Sequence, residues 1–159
     1  MKHHQTQPNR KKICLISSSG GHFEQLKMLR KLSDKYDIYV ITEKTQYAEA
    51  CDYTLLAPHK NKIIGTFRFF LNACISLFYL LKENPVAVIS TGTKVAFPTI
   101  VWAKLLGKKV IYIETFARVY GGTRTGKFVY KHHLYDLFIY QWETQKEEYP
   151  NGVYGGGIY

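Results

Sequence analysis

Short apolar runs alternate with amphipathic stretches along almost the whole chain. Ile13-Cys14-Leu15-Ile16 predicts a buried strand. It is followed by the small-residue run Ser17-Ser18-Ser19-Gly20-Gly21-His22 and then a helix with Phe23, Leu26, Leu29 and Leu32 on one face and Lys27, Arg30 and Lys31 turned outward. Ile38–Ile41 predicts a second strand, Tyr53–Leu56 a short third one, and Ile63–Lys82 a long helix. Val86–Ile89 then reads as a strand, Val95–Leu106 as a helix and Lys109–Ile113 as a strand. Leu137–Ile139 reads as the last central strand, ahead of a helix starting near Glu143. Nearly continuous apolar strands separated by helices predict a mainly parallel sheet covered on both faces: a Rossmann-like, doubly wound α/β fold.

The 159 residues suffice for one such domain, expected over 12–150 between a flexible basic tail, 1–11, and a C-terminal tail, 151–159. That last, glycine-rich segment is either a frayed end or a partner-docking segment. Apolar content of 46% with 21% charged residues is that of a folded protein. The 13 Tyr and 9 Phe exceed what the core strands need, which implies a surface covered by a partner or a membrane. A net charge of +10 attracts nucleic acid, anionic lipid or phosphorylated ligands. The basic residues are scattered without an RNA-binding signature, so no nucleic acid is expected. Cys14, Cys51 and Cys74 form no metal-binding spacing and read as reduced thiols. No metal site is expected elsewhere, and His3 and His4 in the tail are incidental. No apolar run behind the N-terminus resembles a secretion signal, which places the chain on the cytoplasmic side.

In an open parallel sheet, ligands bind at the carboxyl ends of the strands, where Ser17–His22 lies. Small residues there let a phosphate or diphosphate approach the backbone at a helix N-terminus. The alternative is a tight turn with Ser19 as N-cap. The GxGxxG fingerprint is absent, and Thr42 stands where a dinucleotide-binding domain has an acidic residue at the end of its second strand. Gly121–Lys127 has the spacing GxxxxGK, but Phe128 replaces the magnesium-holding hydroxyl and no strand leads into it, so it reads as a basic, mobile loop beside the site. Within the long helix, Arg68, Asn72, Ser76, Tyr79 and Glu83 recur as one narrow polar stripe. The segment is long enough to span a bilayer, yet spanning would bury Asn72 in hydrocarbon and remove the crossover the sheet needs. It is therefore either a core helix or one whose outer face, with Ile64, Phe67, Arg68, Phe70, Leu71 and Phe78, contacts a membrane.

Four segments in order, Ile13–Leu29, Ser90–Gly107, Lys109–Arg118 and Tyr135–Gly156, resemble the PssD-type subunits of capsule and exopolysaccharide synthesis. These are bacterial relatives of the membrane-recruiting subunit of the dolichol-linked GlcNAc transferase. The resemblance implies a GT-B glycosyltransferase split over two polypeptides, with this chain as the N-terminal, acceptor-side half. A separate, PssE-like subunit would bind the nucleotide sugar, a UDP-sugar, so that this chain holds no cofactor of its own. The acceptor would be a polyprenyl-diphosphate-linked saccharide, and the setting the cytoplasmic face of the cell membrane as a peripheral protein. In MurG, which joins both halves in one chain, the glycine turn with its histidine faces the lipid diphosphate, a role that carries onto Ser18, Ser19, Gly20, Gly21 and His22.

Sugar transfer needs a base for the acceptor hydroxyl and a positive setting for the pyrophosphates. His22 either binds the diphosphate or acts as base. Glu114, at the end of the Lys109–Ile113 strand, is the rival base, unless it pairs with Arg118. Thr91, Gly92 and Thr93 form a second small-residue turn at a strand end. Arg118, Arg124 and Lys127 are the expected cationic contacts. The alternative function is a non-catalytic scaffold for a partner that holds every catalytic group.

Overall fold

Strands and helices alternate in a computed structural model that describes residues 10–45 and 51–158. The order is β1 (Lys12–Ile16), α1 (Gly21–Met28), β2 (Asp37–Glu43), β3 (Tyr53–Leu55), α2 (Lys62–Glu83), β4 (Ala87–Ser90), α3 (Phe97–Leu105), β5 (Lys109–Ile113), α4 (Arg124–Lys131), β6 (Leu137–Tyr140) and β7 (Val153–Tyr154). The seven strands form one parallel sheet ordered β3-β2-β1-β4-β5-β6-β7. The expected Rossmann-like, doubly wound architecture is therefore present. The order in which strands are added reverses between β1 and β4, and Leu15 pairs with Val40 on one side and Ile89 on the other. That is the topological switch point of such sheets.

Alternation along each strand builds two cores. Cys14, Ile16, Tyr39, Ile41, Val110 and Tyr112 join Leu80 of α2, Ile100 of α3 and Val129 of α4 on one face. Ile13, Leu15, Val40 and Ile113 join Phe23 and Leu26 of α1 on the other. Burial pushes the Cys14 thiol up to about 12, so it behaves as a small apolar side chain.

Five stretches depart from the sequence reading. Leu29 and Leu32 do not extend α1; they lie in a 3₁₀ segment, Leu29–Asp34. Gly121–Lys127 is no mobile loop: Thr123 Oγ1 accepts the Gly126 N–H at 2.9 Å and starts α4. The helix expected at Glu143 is one 3₁₀ turn, Glu143–Gln145, because Pro150 and Gly152 follow closely and the chain returns to the sheet. Residues 151–158 are joined to the domain: Val153 pairs with Ile139, Gly155 N donates to Tyr140 O at 2.9 Å, and Ile158 N to Gln141 Oε1 at 3.0 Å. Arg10 and Lys11, expected in the flexible tail, also make contacts, Arg10 Nη1 with Ser33 O and Lys11 O with Asp37 N. His3 and His4 lie outside the described residues.

The sixth departure concerns the orientation of α2. Its polar stripe faces inward and its apolar side faces out. Asn72 and Ser76 are buried beside Leu80, while Phe67 and Phe70 are each 64% exposed and Phe78 61%. The Asn72 amide clamps the backbone of Leu56, accepting from its N–H at 2.8 Å and donating to its carbonyl at 2.9 Å. Ser76 Oγ accepts from Thr99 Oγ1 of α3 at 2.8 Å. Arg68, expected among the membrane contacts, is half-buried and donates Nη1 to Ala57 O at 2.9 Å, so it belongs to the inward face. Helix α2 is long and apolar enough to cross a bilayer by length and composition, yet it is the crossover between β3 and β4.

The amino edge of the sheet is held by carboxylates. Glu83 accepts from Lys12 Nζ at 2.8 Å and from the Tyr53 hydroxyl. Asp136 accepts the Val110 N–H at 2.8 Å and the ammonium groups of Lys104 and Lys109. Burial works to raise both carboxyl pKa values, but those hydrogen bonds outweigh it and hold both below the usual range. Because the folded pKa values lie below the unfolded ones, this stability is fully present above the unfolded value and is lost as pH falls through the folded one. The melting temperature is expected to drop as pH is lowered below about 4. Asp136→Asn should flatten that dependence in thermal scans across the acid range; an unchanged slope would remove Asp136 from the account.

Candidate functional site

Adjacency of β1 and β4 brings two sequence-distant turns together. Ser17–Gly20 links β1 to α1, and Gly20 is the N-cap of α1 with φ +83°, where a side chain is disfavoured. Ser19 is not the cap. Thr91–Thr93 follows β4, with φ +94° at Gly92 and +97° at Thr93. A β-branched residue at such a φ is strained, and the fold sustains it here. A Cβ on Gly92 would stand 2.7 Å from the Tyr112 hydroxyl, so the turn also needs glycine for space.

His22 and Thr91 lace the two turns together across 69 residues. The imidazole Nδ1 lies 2.9 Å from Thr91 O, and Thr91 Oγ1 donates to His22 O at 2.9 Å. A carbonyl only accepts, so Nδ1 carries a proton, and the neutral tautomer compatible with this bond has its lone pair on Nε2. The ring is half-buried, and Gly20 and Gly21 beside it are exposed with open space around them. The arrangement presents a basic nitrogen and close-approach backbone at the switch-point crevice.

Glu43 was missed by the sequence reading. The second strand continues one residue past Thr42, and Glu43 is 8% exposed at its end. Its Oε1 accepts from Ser19 Oγ at 2.8 Å, while Oε2 is buried without a hydrogen-bond partner. The Ser19 hydroxyl is therefore engaged, and Ser17 Oγ bonds its neighbour's carbonyl, Ser18 O, at 3.0 Å. Thr93 Oγ1 and the Tyr112 hydroxyl are likewise buried and unpartnered among the described residues. The only sequence signal for Glu43 was its place one step beyond an apolar run.

Glu114 is not a free base. It is 1% exposed and its carboxylate is saturated: Oε1 accepts Thr115 N–H at 2.9 Å, and Oε2 accepts Thr123 N–H and Oγ1, both at 3.1 Å, and the Tyr149 hydroxyl at 2.6 Å. Burial first, and then the Glu114 charge, push the Tyr149 phenol well up, so it remains a donor. A Cβ on Gly122 would overlap the Tyr149 hydroxyl, and one on Gly126 the Glu114 carboxylate. Two glycines of the GxxxxGK-like stretch thus make room for this buried network rather than for phosphate.

No ion pair joins Glu114 to Arg118 among the described residues; Arg118 is exposed and its carbonyl accepts from Gln145. Arg124 is exposed at the start of α4, and Lys127 is paired with Glu148 at 2.8 Å. None of these three cations bonds to the His22 and Thr91 turns among the described residues. The structure therefore laces Ser18–His22 to Thr91–Thr93, while Glu114 and Lys127 are engaged by other partners, Glu114 by Thr115, Thr123 and Tyr149 and Lys127 by Glu148.

A family model described as "Oligosaccharide biosynthesis protein Alg14 like" matches residues 57–158. The chain belongs to that family. The UDP-N-acetylglucosamine transferase subunit ALG14 of Mus musculus is 30% identical over an alignment covering 98% of this chain and 87% of the mouse protein. The Homo sapiens subunit is also 30% identical, over 92% and 82%. Among solved structures, MurG of Acinetobacter baumannii matches with a TM-score of 0.68 at 16% identity, covering 84% of this chain and 42% of MurG. UDP-N-acetylglucosamine 2-epimerase from Rickettsia bellii matches at 0.67 and 17%, covering 87% and 41%. These likenesses show the fold, and this chain spans about two fifths of those longer proteins.

The Glu114 network is expected to be structural. Glu114→Ala should cost about 3 kcal/mol in urea unfolding, since it strips a buried tyrosine hydroxyl and two backbone N–H groups of their acceptor. An unfolding midpoint equal to that of the parent would return Glu114 to consideration as a reactive group.

Proposed function

We propose that this chain is the acceptor-binding, membrane-associating subunit of a two-component glycosyltransferase of the PssD type. A separate PssE-like donor-domain subunit supplies a nucleotide sugar, a UDP-sugar. The sugar passes to a polyprenyl-diphosphate-linked saccharide in capsule or exopolysaccharide synthesis at the cytoplasmic face of the membrane. The observation that carries this reading is the laced pair of turns at the β1–β4 switch point, in a domain of the Alg14-like family. Support comes also from the names of the mammalian relatives, which are transferase subunits.

In this reading Gly20, Gly21 and Gly92 let the acceptor lie against the backbone, and His22 Nε2 takes the proton of its attacking hydroxyl. The hydroxyl oxygen bonds to the anomeric carbon as the bond to the nucleotide diphosphate breaks, and the diphosphate leaves with the electron pair. Glu43, a carboxylate beside Ser19, favours a sugar hydroxyl at that position over a bare phosphate, which it would repel. Ser18, Thr93 and the exposed Arg118 and Arg124 supply the remaining polar contacts to the acceptor or its diphosphate. Ile64, Phe67, Phe70, Leu71 and Phe78 on the outer face of α2 rest in the membrane interface. The exposed edge strand β7, with Val153 and Tyr154, receives the partner subunit.

His22→Ala, assayed with the partner subunit, should lower turnover by ~10²-fold or more, beyond what the loss of about 1 kcal/mol of stability with the Nδ1–Thr91 O bond accounts for. Near-parental turnover would remove His22 as the base. Appreciable turnover by the partner subunit alone would favour the scaffold function instead. Phe67→Ser with Phe70→Ser should abolish flotation of the purified chain with neutral phospholipid vesicles; parental flotation would end the membrane reading of α2.

A further inference from the structure

A cleft of about 50 Å³ opens beside the first turns of α2. Leu56, Phe69 and Val95 line it with apolar surface, and Arg68, Lys94 and His59 bring cationic or titratable nitrogen. No acidic side chain is among its lining residues. None of the three basic residues forms an ion pair among the described residues. Arg68 is oriented by its one bond to Ala57 O, which uses a single one of the five N–H donors of a guanidinium. The floor is rigid before any ligand arrives, because both ends of the buried Asn72 amide are tied to Leu56. Unpaired positive charge on a preformed, partly apolar wall selects an anion attached to hydrocarbon.

Position narrows the ligand further. Lys94 and Val95 directly continue the strained Gly92–Thr93 turn, so one side of the cleft adjoins the His22 site. Arg68 and Phe69 sit between Phe67 and Phe70 on α2, both exposed, so the other side adjoins the outward apolar face. We infer that this cleft binds a phosphate group carried on the end of a lipid chain, with Arg68 and Lys94 on the phosphate and Phe69 and Val95 against the first carbons. The inference rests on the membrane reading of α2 given above and names the chemistry that α2 presents at its start. Two sources share that chemistry: the diphosphate of a polyprenyl-linked saccharide and the headgroup of an anionic phospholipid.

The test uses the full purified chain and two charge-matched variants. Arg68→Gln with Lys94→Gln alters the cleft; Lys31→Gln with Lys35→Gln removes the same charge from exposed positions after α1. Flotation is measured with neutral vesicles, alone or doped with polyprenyl diphosphate or with phosphatidylglycerol. The cleft variant should lose at least about tenfold in affinity for doped vesicles, and the control pair much less. A loss confined to polyprenyl diphosphate identifies the substrate's own phosphates, and a loss with both identifies phosphate headgroups in general. Lys94→Gln alone, at an exposed side chain that supports no fold contact, should reproduce part of the loss. Calorimetry with inorganic pyrophosphate gives a readout that needs no membrane: binding to the parent, and loss of that binding in the cleft variant. Equal losses in the two charge-matched variants, or no loss in either, would overturn the cleft. Because the Phe67 and Phe70 variant tests lipid contact by itself, dependence on those rings without dependence on Arg68 and Lys94 would sink the cleft alone.

Discussion

The reciprocal hydrogen bonds between His22 and Thr91 join the turns that follow β1 and β4 at the switch point of the sheet. Each bond contributes about 1 kcal/mol, far too little to close a loop between residues 69 positions apart. Closure is done by the sheet: β1 and β4 are neighbours from Ile13–Ala87 to Ile16–Ser90, so the turns that follow them meet without further ordering. What the two bonds add is definition. They fix the imidazole tautomer, expose Nε2, and tie the position of the glycine turn to that of the strained Gly92–Thr93 pair. A displacement in either turn would move both, which is the kind of mutual constraint a positioned reacting group requires.

Helix α2 inverts the usual division between inside and outside, with amide and hydroxyl groups in and phenylalanines out. The inward polar groups are satisfied, so burial costs them little: Asn72 pairs with a loop backbone that would otherwise need solvent, and Ser76 pairs with Thr99. The outward aromatic face, by contrast, gains nothing within this domain. In water it is a liability, and its contiguity sets it apart from scattered exposed apolar residues. The hydrophobic gain for those rings must come from another medium or another molecule, which is why α2 bears so directly on function.

Glu114 shows how a strand-end carboxylate can serve the scaffold instead of the chemistry. It gathers Thr115, Thr123 and Tyr149 from three segments, and Gly122 and Gly126 are small so that these groups can reach it. Glu43, at the end of β2 on the same edge of the sheet, retains a buried oxygen without a hydrogen-bond partner among the described residues. Two carboxylates at the same sheet edge thus differ by how many donors the surrounding loops bring, a difference set entirely by tertiary arrangement.

The sequence by itself determined the central strands of the sheet and the helices α1, α2 and α3 between them, and it named the edge at which a site is expected. Apolar runs such as Ile13–Ile16 and Lys109–Ile113 have no alternative but a doubly covered strand, and a glycine turn after the first strand falls at the ligand-binding edge of any parallel sheet. Periodicity also marked the polar stripe of α2, although a stripe carries no sign: whether Asn72 faced core or solvent depended on Leu56 standing opposite it. Likewise, Glu114 read as a free carboxylate because its partners Thr123 and Tyr149 are remote in the chain, and Glu43 went unseen because Ser19 is. Local pattern fixes which backbone conformation and which face a segment can have, since those depend on near neighbours. Which polar groups are spent on the fold and which are left for chemistry depends on distant ones, and only the tertiary structure decides that.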